Sequence, residues 1–335
     1  MDTITHIVLG ACIGEVFVGK KIGKRALLLG AVAQSVPDID FVTSFYLGPA
    51  DNLLAHRGFT HSLLFALLVV PLLAWVADRW RRPHDVSFTR WLWFFSIEIL
   101  VHLLLDTANA YGVGLFEPFS HVRFSYNTLF VADPFFSIIP GIVAIMLLIN
   151  RTHKKRTHWA IVSIVWCSCY FLLGIINKVS IESSIKKNTL EQHITYHRHF
   201  TTPTPFNNLL WFIVLENDTG YYIGYRSVFD KNKPLSFQYR YKNELLLKDV
   251  EQRDDIKQLK KFSQNYYTVE QLHDTLVFDD LRFGQITGWN DSSAGFAFYY
   301  YVNYPKDNDL LIQRGRFKNW NNKTIGTLWR RMMGD

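Results

Sequence analysis

Long apolar runs dominate residues 60–180, and alternating apolar and polar positions dominate residues 181–335. Four runs, at residues 62–77, 88–108, 135–149 and 159–177, read as membrane-crossing helices, although some are a little short. A helix needs about 20 residues to cover roughly 30 Å of hydrocarbon. Trp80, Trp91, Trp93 and Trp159 at their ends suit the interfacial aromatic belt. Two helical segments precede them, at residues 4–18 and 22–36. The second is too short to span comfortably, which predicts a half-helix or a tilted segment packed inside protein. Near Ser180 the pattern changes. Residues 210–215, 221–228, 235–241 and 296–302 alternate as strands do, with a hairpin turn signal at residues 217–220. Residues 249–262 and 323–332 read as helices. The expected fold is an α-helical polytopic membrane domain over residues 1–180, followed by a soluble α+β domain over residues 181–335.

Charge turns these runs into a topology. The formal net charge is +7, and much of the excess sits in Lys20-Lys21 with Lys24-Arg25, in Arg79 with Arg81-Arg82, and in Lys154-Lys155-Arg156. If all six segments cross, the connections at residues 20–25, 79–90 and 151–158 share one face. Their Lys and Arg content makes that face cytoplasmic. Residues 37–61, residues 106–134 and everything after about Val179 then lie outside, with the N-terminus. Basic clusters that bracket apolar runs are topology signals, so no nucleic-acid partner is expected. The three cysteines, Cys12, Cys167 and Cys169, lie in apolar stretches and read as small core residues, not as a disulfide framework. The first residues, Met-Asp-Thr-Ile-Thr-His, lack a basic region, so no cleaved signal is expected.

Against this apolar background a set of ionisable residues stands out. His6 lies on the first segment, with Asp2 one turn earlier. Pro37-Asp38-Ile39-Asp40 ends the second, and His56-Arg57-Gly58-Phe59-Thr60-His61-Ser62 opens the third. Glu98, His102 and Asp106 are spaced four apart on the next helix, hence on one face. Asn109, Tyr111-Gly112, Arg123 and Asp133-Pro134 come after. Imidazole and carboxylate together suit zinc, manganese or iron. Each piece also has a plainer reading. A single His in a membrane helix can hydrogen-bond a neighbour. Asp38 and Asp40 can form a helix-terminal turn, with Asp40 capping the next segment. Glu98 can pair with another helix, Arg123 and Asp133 can form an external ion pair, and His193, His197 and His199 read as a solvated stretch. Depth favours a shared role. His6, Asp38, Asp40, His56, His61, Asp106 and Asp133 fall near the same, non-cytoplasmic ends of their segments, and His102 about one turn deeper. Ionisable groups at membrane depth are costly and usually functional.

These residues resemble a known family, the YdjM-type membrane-bound metal-dependent hydrolases of bacteria and archaea. The likeness rests on Thr5-His6 with Gly10, on the PDID and HRGFTHS strings, and on His102 with Asp106. It continues through Asn109-Ala110-Tyr111-Gly112, Pro118-Phe119-Ser120, Arg123-Phe124 and Asp133-Pro134, and covers about residues 1–180. The chain is more distantly similar to zinc-dependent phospholipase C and the related single-strand nucleases, which hold a zinc cluster with His and Asp. It lacks their second HxxxE helix and their N-terminal Trp, so a third metal is not expected.

The resemblance and the residues imply a hydrolase of the cytoplasmic membrane with two divalent ions, zinc foremost, with manganese and iron as alternatives. Its ligands and general base would come from His6, Asp38, Asp40, His56, His61, His102 and Asp106. Metal-bound hydroxide would attack a phosphoester of a lipid or lipid-linked substrate, with ester or amide hydrolysis left open. Arg57 or Arg123 would hold the anionic group. A metal-ion transporter and a non-catalytic adaptor displaying the C-terminal domain are the rivals. The topology has a direct test: a reporter active only in the cytoplasm, fused after Asp335, should stay silent, and an active fusion would refute the assigned orientation.

Overall fold

The computed structural model describes residues 1–80, 86–150, 155–230, 233–308, 317 and 320–335. Arg81, Arg82 and Lys154 of the basic connections lie outside the described residues. The chain divides into two compact units, one of Met1–Thr43 with Ala55–Gly174, the other of Ser44–Leu54 with Ile175–Asp335.

The first unit is helical and is built around α1 (Thr3–Ile22). Asp2 caps its start by accepting from the Thr5 amide at 3.0 Å, and Gly23 ends it at a φ of 61° that favours glycine. The chain turns at once into α2 (Arg25–Gln34), which lies against α1 backbone to backbone. A Cβ on Gly30 would stand 2.0 Å from the Gly10 carbonyl oxygen, and one on Gly14 would stand 2.2 Å from that of Ala26. Small residues permit this approach where apolar surroundings give no hydrophobic drive between helices. Pro37 disfavours a helical conformation at Val36 before it. The chain bends by 58° and continues as a 3-10 helix over Pro37–Phe45. The second apolar segment is therefore a broken pair of short helices.

Around this pair stand α4 (Leu63–Trp80), α5 (Phe88–Thr107), α6 (Pro134–Ile149) and α7 (Arg156–Glu191), preceded in sequence by the short α3 (Pro49–Ala55). Ala66, Val70, Ala74 and Ala77 of α4 pack on Trp91, Phe94, Phe95, Ile99 and Leu103 of α5. Val143, Ala144 and Leu147 of α6 pack on Ala11 and Cys12 of α1 and on Ala160 of α7. Four helices, α1, α4, α5 and α7, are long and apolar enough to cross a membrane, or up to five if the bent pair counts as one. In α1, 61% of the apolar stretch is buried, against 44% in α5 and 22% in α4 and α7, so α1 runs through the middle and α4 and α7 offer wide apolar surfaces outward.

With 16 residues, α6 keeps the extent read from the sequence and covers only about 24 Å, short of a full hydrocarbon crossing. One helix differs from the sequence reading. With 36 residues, α7 does not stop near Asn177 but runs on to Glu191. No Gly or Pro interrupts residues 175–191, and Ile181 and Ile185 find a core against Trp211, Ile213 and Leu215.

The second unit is α+β. One antiparallel sheet has the order β1 (Arg198–Pro203), β2 (Leu210–Glu216), β3 (Gly220–Ser227), β4 (Phe237–Tyr241). A second has the order β5 (Tyr267–Leu272), β6 (Thr275–Asp280), β7 (Tyr299–Tyr301). Helix α8 is Asp254–Phe262 and α9 is Asn322–Met332. Strands β1, β5 and β6 are not apparent in the sequence. The turn between β5 and β6 is His273-Asp274, with His273 at a φ of 52°, where the usual sign would be Asn-Gly.

The α1–α2 contact makes a stability prediction. Gly30→Ala should force the two backbones apart and lower stability by about 1–3 kcal/mol. Gly141→Ala, where an added Cβ meets nothing within 4 Å, should be neutral or slightly stabilising. Thermal unfolding in detergent reads both, and equal effects would contradict the close-contact account.

Candidate metal centre

Five chain segments converge at one end of the first unit. The start of α1 carries His6, and the 3-10 helix after α2 carries Asp38 and Asp40. The turn before α4 carries Arg57 and His61, and the C-terminal half of α5 carries His102 and Asp106 one turn apart. The loop after α5 adds Asn109 and Tyr111. Lys20 and Lys21 of α1, Arg79 of α4 and Arg156 of α7 lie at the opposite helix ends.

Four of these residues form a tight group. His61 Nε2 lies 3.1 Å from His102 Nε2, 3.2 Å from Asp106 Oδ2 and 3.5 Å from Asp38 Oδ1. His102 Nε2 lies 3.5 Å from Asp106 Oδ2 and 3.6 Å from Asp38 Oδ1. Four ligand atoms arranged tetrahedrally at the ~2.0–2.1 Å typical of zinc stand about 3.3–3.4 Å from one another. Five edges of the Asp38–His61–His102–Asp106 figure thus match a site for one small divalent ion. Among the described residues this is the one such group that forms. His61, His102 and Asp106 are fully buried, whereas the Asp38 side chain is 25% exposed, so solvent reaches the group past Asp38. Asp106 Oδ2 accepts no hydrogen bond among the described residues, as expected of an atom that belongs to a cation.

Surrounding groups set the orientation of each donor. His102 Nδ1 lies 2.6 Å from the Gln34 carbonyl oxygen, so it carries the proton and leaves Nε2 free to ligate. The Gln34 side-chain amide, with its nitrogen turned toward α5, in turn donates to Glu98 Oε2 at 2.7 Å. His61 Nδ1 faces Asp40 Oδ2 at 3.3 Å, and the same carboxylate accepts the Arg57 backbone amide at 2.7 Å. Arg57 has a left-handed φ of 58°, and Gly58 comes directly after it. That bend turns its guanidinium inward, where Nε stands 3.1 Å from Asp106 Oδ2. Its remaining nitrogens donate to Asn109 Oδ1 at 2.8 Å and to the Met1 carbonyl at 3.1 Å, and the Tyr111 ring lies under it. His6 stacks on His102 with ring centres 3.9 Å apart, and its Nε2 is 3.2 Å from Asp106 Oδ1. The Met1 amine is ion-paired with the same oxygen.

A family model with the description YdjM inner membrane protein matches residues 1–181. The chain belongs to the YdjM family of inner membrane proteins. It is 41% identical over 124 residues to the inner membrane protein YbcI of Escherichia coli K12, covering 36% of this chain and 69% of that protein. It is 31% identical over 148 residues to the uncharacterized protein YfhP of Bacillus subtilis 168, covering 41% of this chain and 43% of that one. No solved structure matches. The YdjM match ends just past the first unit, so the family segment is the one that carries the metal-ligand group.

Several sequence candidates stand outside the group. His56 is at its rim, 38% exposed, with Nδ1 3.2 Å from Asp40 Oδ1. Arg123 does not enter; its guanidinium donates to the carbonyls of His56 and Gly112, each at 3.0 Å, and so braces the loop. Asp133 caps α6 and accepts from Tyr170 at 2.8 Å. His197 pairs with Asp218 in the second unit. Sequence reasoning misses Gln34, whose backbone carbonyl meets His102 at the site. Nothing in a sequence marks a backbone acceptor, so no signal points to it.

Burial alone would lower the His61 pKa, but the carboxylates of Asp106, Asp38 and Asp40 outweigh it and raise the value to about 10. The same negative charge that holds this proton attracts a metal ion, which must displace it. Divalent-metal affinity of a purified YdjM-family chain of this sequence should therefore rise with pH between about pH 6 and 9, with proton release on binding. Titration calorimetry in buffers of differing ionisation enthalpy measures this. His61→Ala and His102→Ala should each abolish retained metal in elemental analysis, and retention of metal by both would exclude this site.

Proposed function

We propose that this chain is a membrane-embedded, metal-dependent hydrolase acting on a phosphoester of a lipid or lipid-linked substrate. The observation that carries the reading is a donor group in which His61, His102 and Asp106 are sealed from solvent as three ligands while Asp38, beside them, is open to it. Three protein ligands with a fourth position left to water is the pattern of a catalytic zinc site, whereas four protein ligands close a structural one. A divalent ion held there would supply an activated water, with a pKa lowered to about 7. Asp38, at the exposed edge of the group, would be the proton acceptor, while Asp40 and the Gln34 carbonyl hold the two imidazoles in the ligating tautomer. Arg57, ion-paired with Asp106 and donating to Asn109 and the Met1 carbonyl, fixes Asp106 rather than clamping substrate. A second ion belongs to the proposal, and His6 Nε2 with Asp106 Oδ1, 3.2 Å apart, would help to hold it.

An apolar rim favours a lipid-borne substrate. Phe59, Phe116, Phe119 and Val122 are exposed, and their loops are tied to the site by the Gly114 amide on the Arg57 carbonyl at 2.9 Å and the Leu63 amide on Leu115 at 2.9 Å. The basic residues at the far helix ends favour an extracytoplasmic site. A transporter would continue the polar column to the other side. Along α5 it ends at Glu98, with buried Phe94 and Phe95 one turn further and Trp91 two, and the buried Glu15 of α1 is neutralised by Arg156.

Turnover of a phospholipid panel by detergent-purified protein tests the proposal. His61→Ala and Asp106→Ala should lose metal and activity together. Asp38→Asn should keep metal while kcat falls by about 100-fold or more. Variants that lose metal yet retain full activity, or wild-type protein inert toward every phosphoester, would leave the adaptor reading in its place.

A further inference from the structure

The second unit contains a polar cleft of about 680 Å³ between the last turns of α7 and the segment after β3. Its α7 wall is a stripe of Ser180, Ser184, Asn188 and Glu191 with Lys187, residues three or four apart and hence on one face of the helix. Ile181 and Ile185 use the neighbouring face for the core, so the stripe is left to line open space. The opposite wall is Arg226, Asp230 and Lys233.

Charge in this cleft is not balanced. Asp230 is buried, and Arg331 holds it in a fork, with contacts of 2.8 Å and 2.7 Å to its two oxygens. Arg226 is only 7% exposed; Asp230 favours its charge from a distance, and its own hydrogen bond goes to the Lys233 carbonyl. Burial and the charge of Arg331 both disfavour the Arg226 cation, with Asp230 acting against them. Arg331 takes up Asp230 from behind the wall, and of the lining cations Arg226, Lys187 and Lys233, of which Lys233 also donates to the Gly334 carbonyl, more remain than the lining anions offset, which leaves excess positive charge toward a cavity lined by hydroxyls. Lys187 is offset by Glu191 at 3.9 Å, but that pair is exposed and weak. Guanidinium and ammonium donors with serine hydroxyls are the chemistry that receives phosphate oxygens. The volume exceeds one phosphate and suits a phosphate carrying a small polar group.

The position of the cleft along α7 bears on the source of that phosphate. Ile176 and Val179 are exposed apolar residues, and Ser180, the next residue, opens the cleft. A helix leaving hydrocarbon at Val179 brings Ser180 and Ser184 to the level of lipid headgroups within about 8 Å of rise.

We propose that this cleft, built from Ser180, Ser184, Lys187, Arg226 and Lys233, is a binding site for a phosphate-bearing anion. It is separate from the metal-ligand group and does not depend on that group's chemistry. The test uses the full chain in detergent after exhaustive chelation, so that phosphate cannot bind through a metal. The probes are inorganic phosphate, and lipid nanodiscs of phosphatidylglycerol with phosphatidylcholine as the uncharged comparison. Saturable binding of phosphatidylglycerol alone identifies a lipid headgroup as the source, and equal binding of inorganic phosphate identifies a free anion. Lys187→Glu, at an exposed side chain where folding is not at stake, should weaken either by about tenfold. Arg226→Gln should abolish binding, provided its far-ultraviolet spectrum and melting match the parent. Absence of saturable binding to both probes, or binding unchanged in Lys187→Glu, overturns the proposal.

Discussion

Asp106 is a carboxylate with no solvent contact at the end of an apolar helix, and the arrangement of the first unit stems from the need to accommodate it. Burying such a charge costs several kcal/mol unless paired charges and hydrogen bonds offset it. Arg57, the imidazoles of His6, His61 and His102, and the Met1 amine gather around its two oxygens. Each partner then needs its own support. Arg57 takes it from Asn109 and Tyr111, His61 from Asp40, and His102 from Gln34. One negative charge thereby fixes five chain segments relative to one another. Even so, Asp106 Oδ2 remains without a hydrogen bond among the described residues, and the donor set around it could hold a divalent cation.

That support reaches the site through backbone contact. Gln34 ends α2, and α2 lies on α1 only because Gly10, Gly14 and Gly30 carry no side chains. Were the helices one methyl group further apart, the Gln34 carbonyl would move with α2, and the imidazole of His102 would lose the acceptor that sets its tautomer. Pro37 then turns the chain so that Asp38 and Asp40 face the end of α5. The site thus depends on residues with no chemistry of their own.

The two units use opposite electrostatic designs. The first concentrates carboxylates and imidazoles and so favours a cation; the cleft of the second concentrates guanidinium and ammonium groups against hydroxyls and so favours an anion. The first depends on low exposure, because the same charges in open water would be screened to a fraction of their strength; in the second this holds for Arg226 but not for the exposed Lys187.

By itself the sequence determined which residues had to be helical and which polar residues lay at one depth. The apolar runs carry their own periodicity, and His102 and Asp106 share a face simply because an α-helix such as α5 has about 3.6 residues per turn. The PDID and HRGFTHS strings marked segments that the structure brings within 3.6 Å of α5 donors. The tertiary structure alone decided the rest. It separated Asp38, which touches the group, from Asp40, which orients His61; both are aspartates two residues apart, and only the 3-10 turn distinguishes them. It gave Arg57 to Asp106 and Arg123 to backbone carbonyls. It carried α7 on to Glu191, because Ile181 and Ile185 meet a sheet whose first strand the sequence did not announce. Periodicity is local and survives in one dimension. Which donor faces which acceptor is set by contacts between distant segments, and a backbone carbonyl such as that of Gln34 has no letter in the sequence at all.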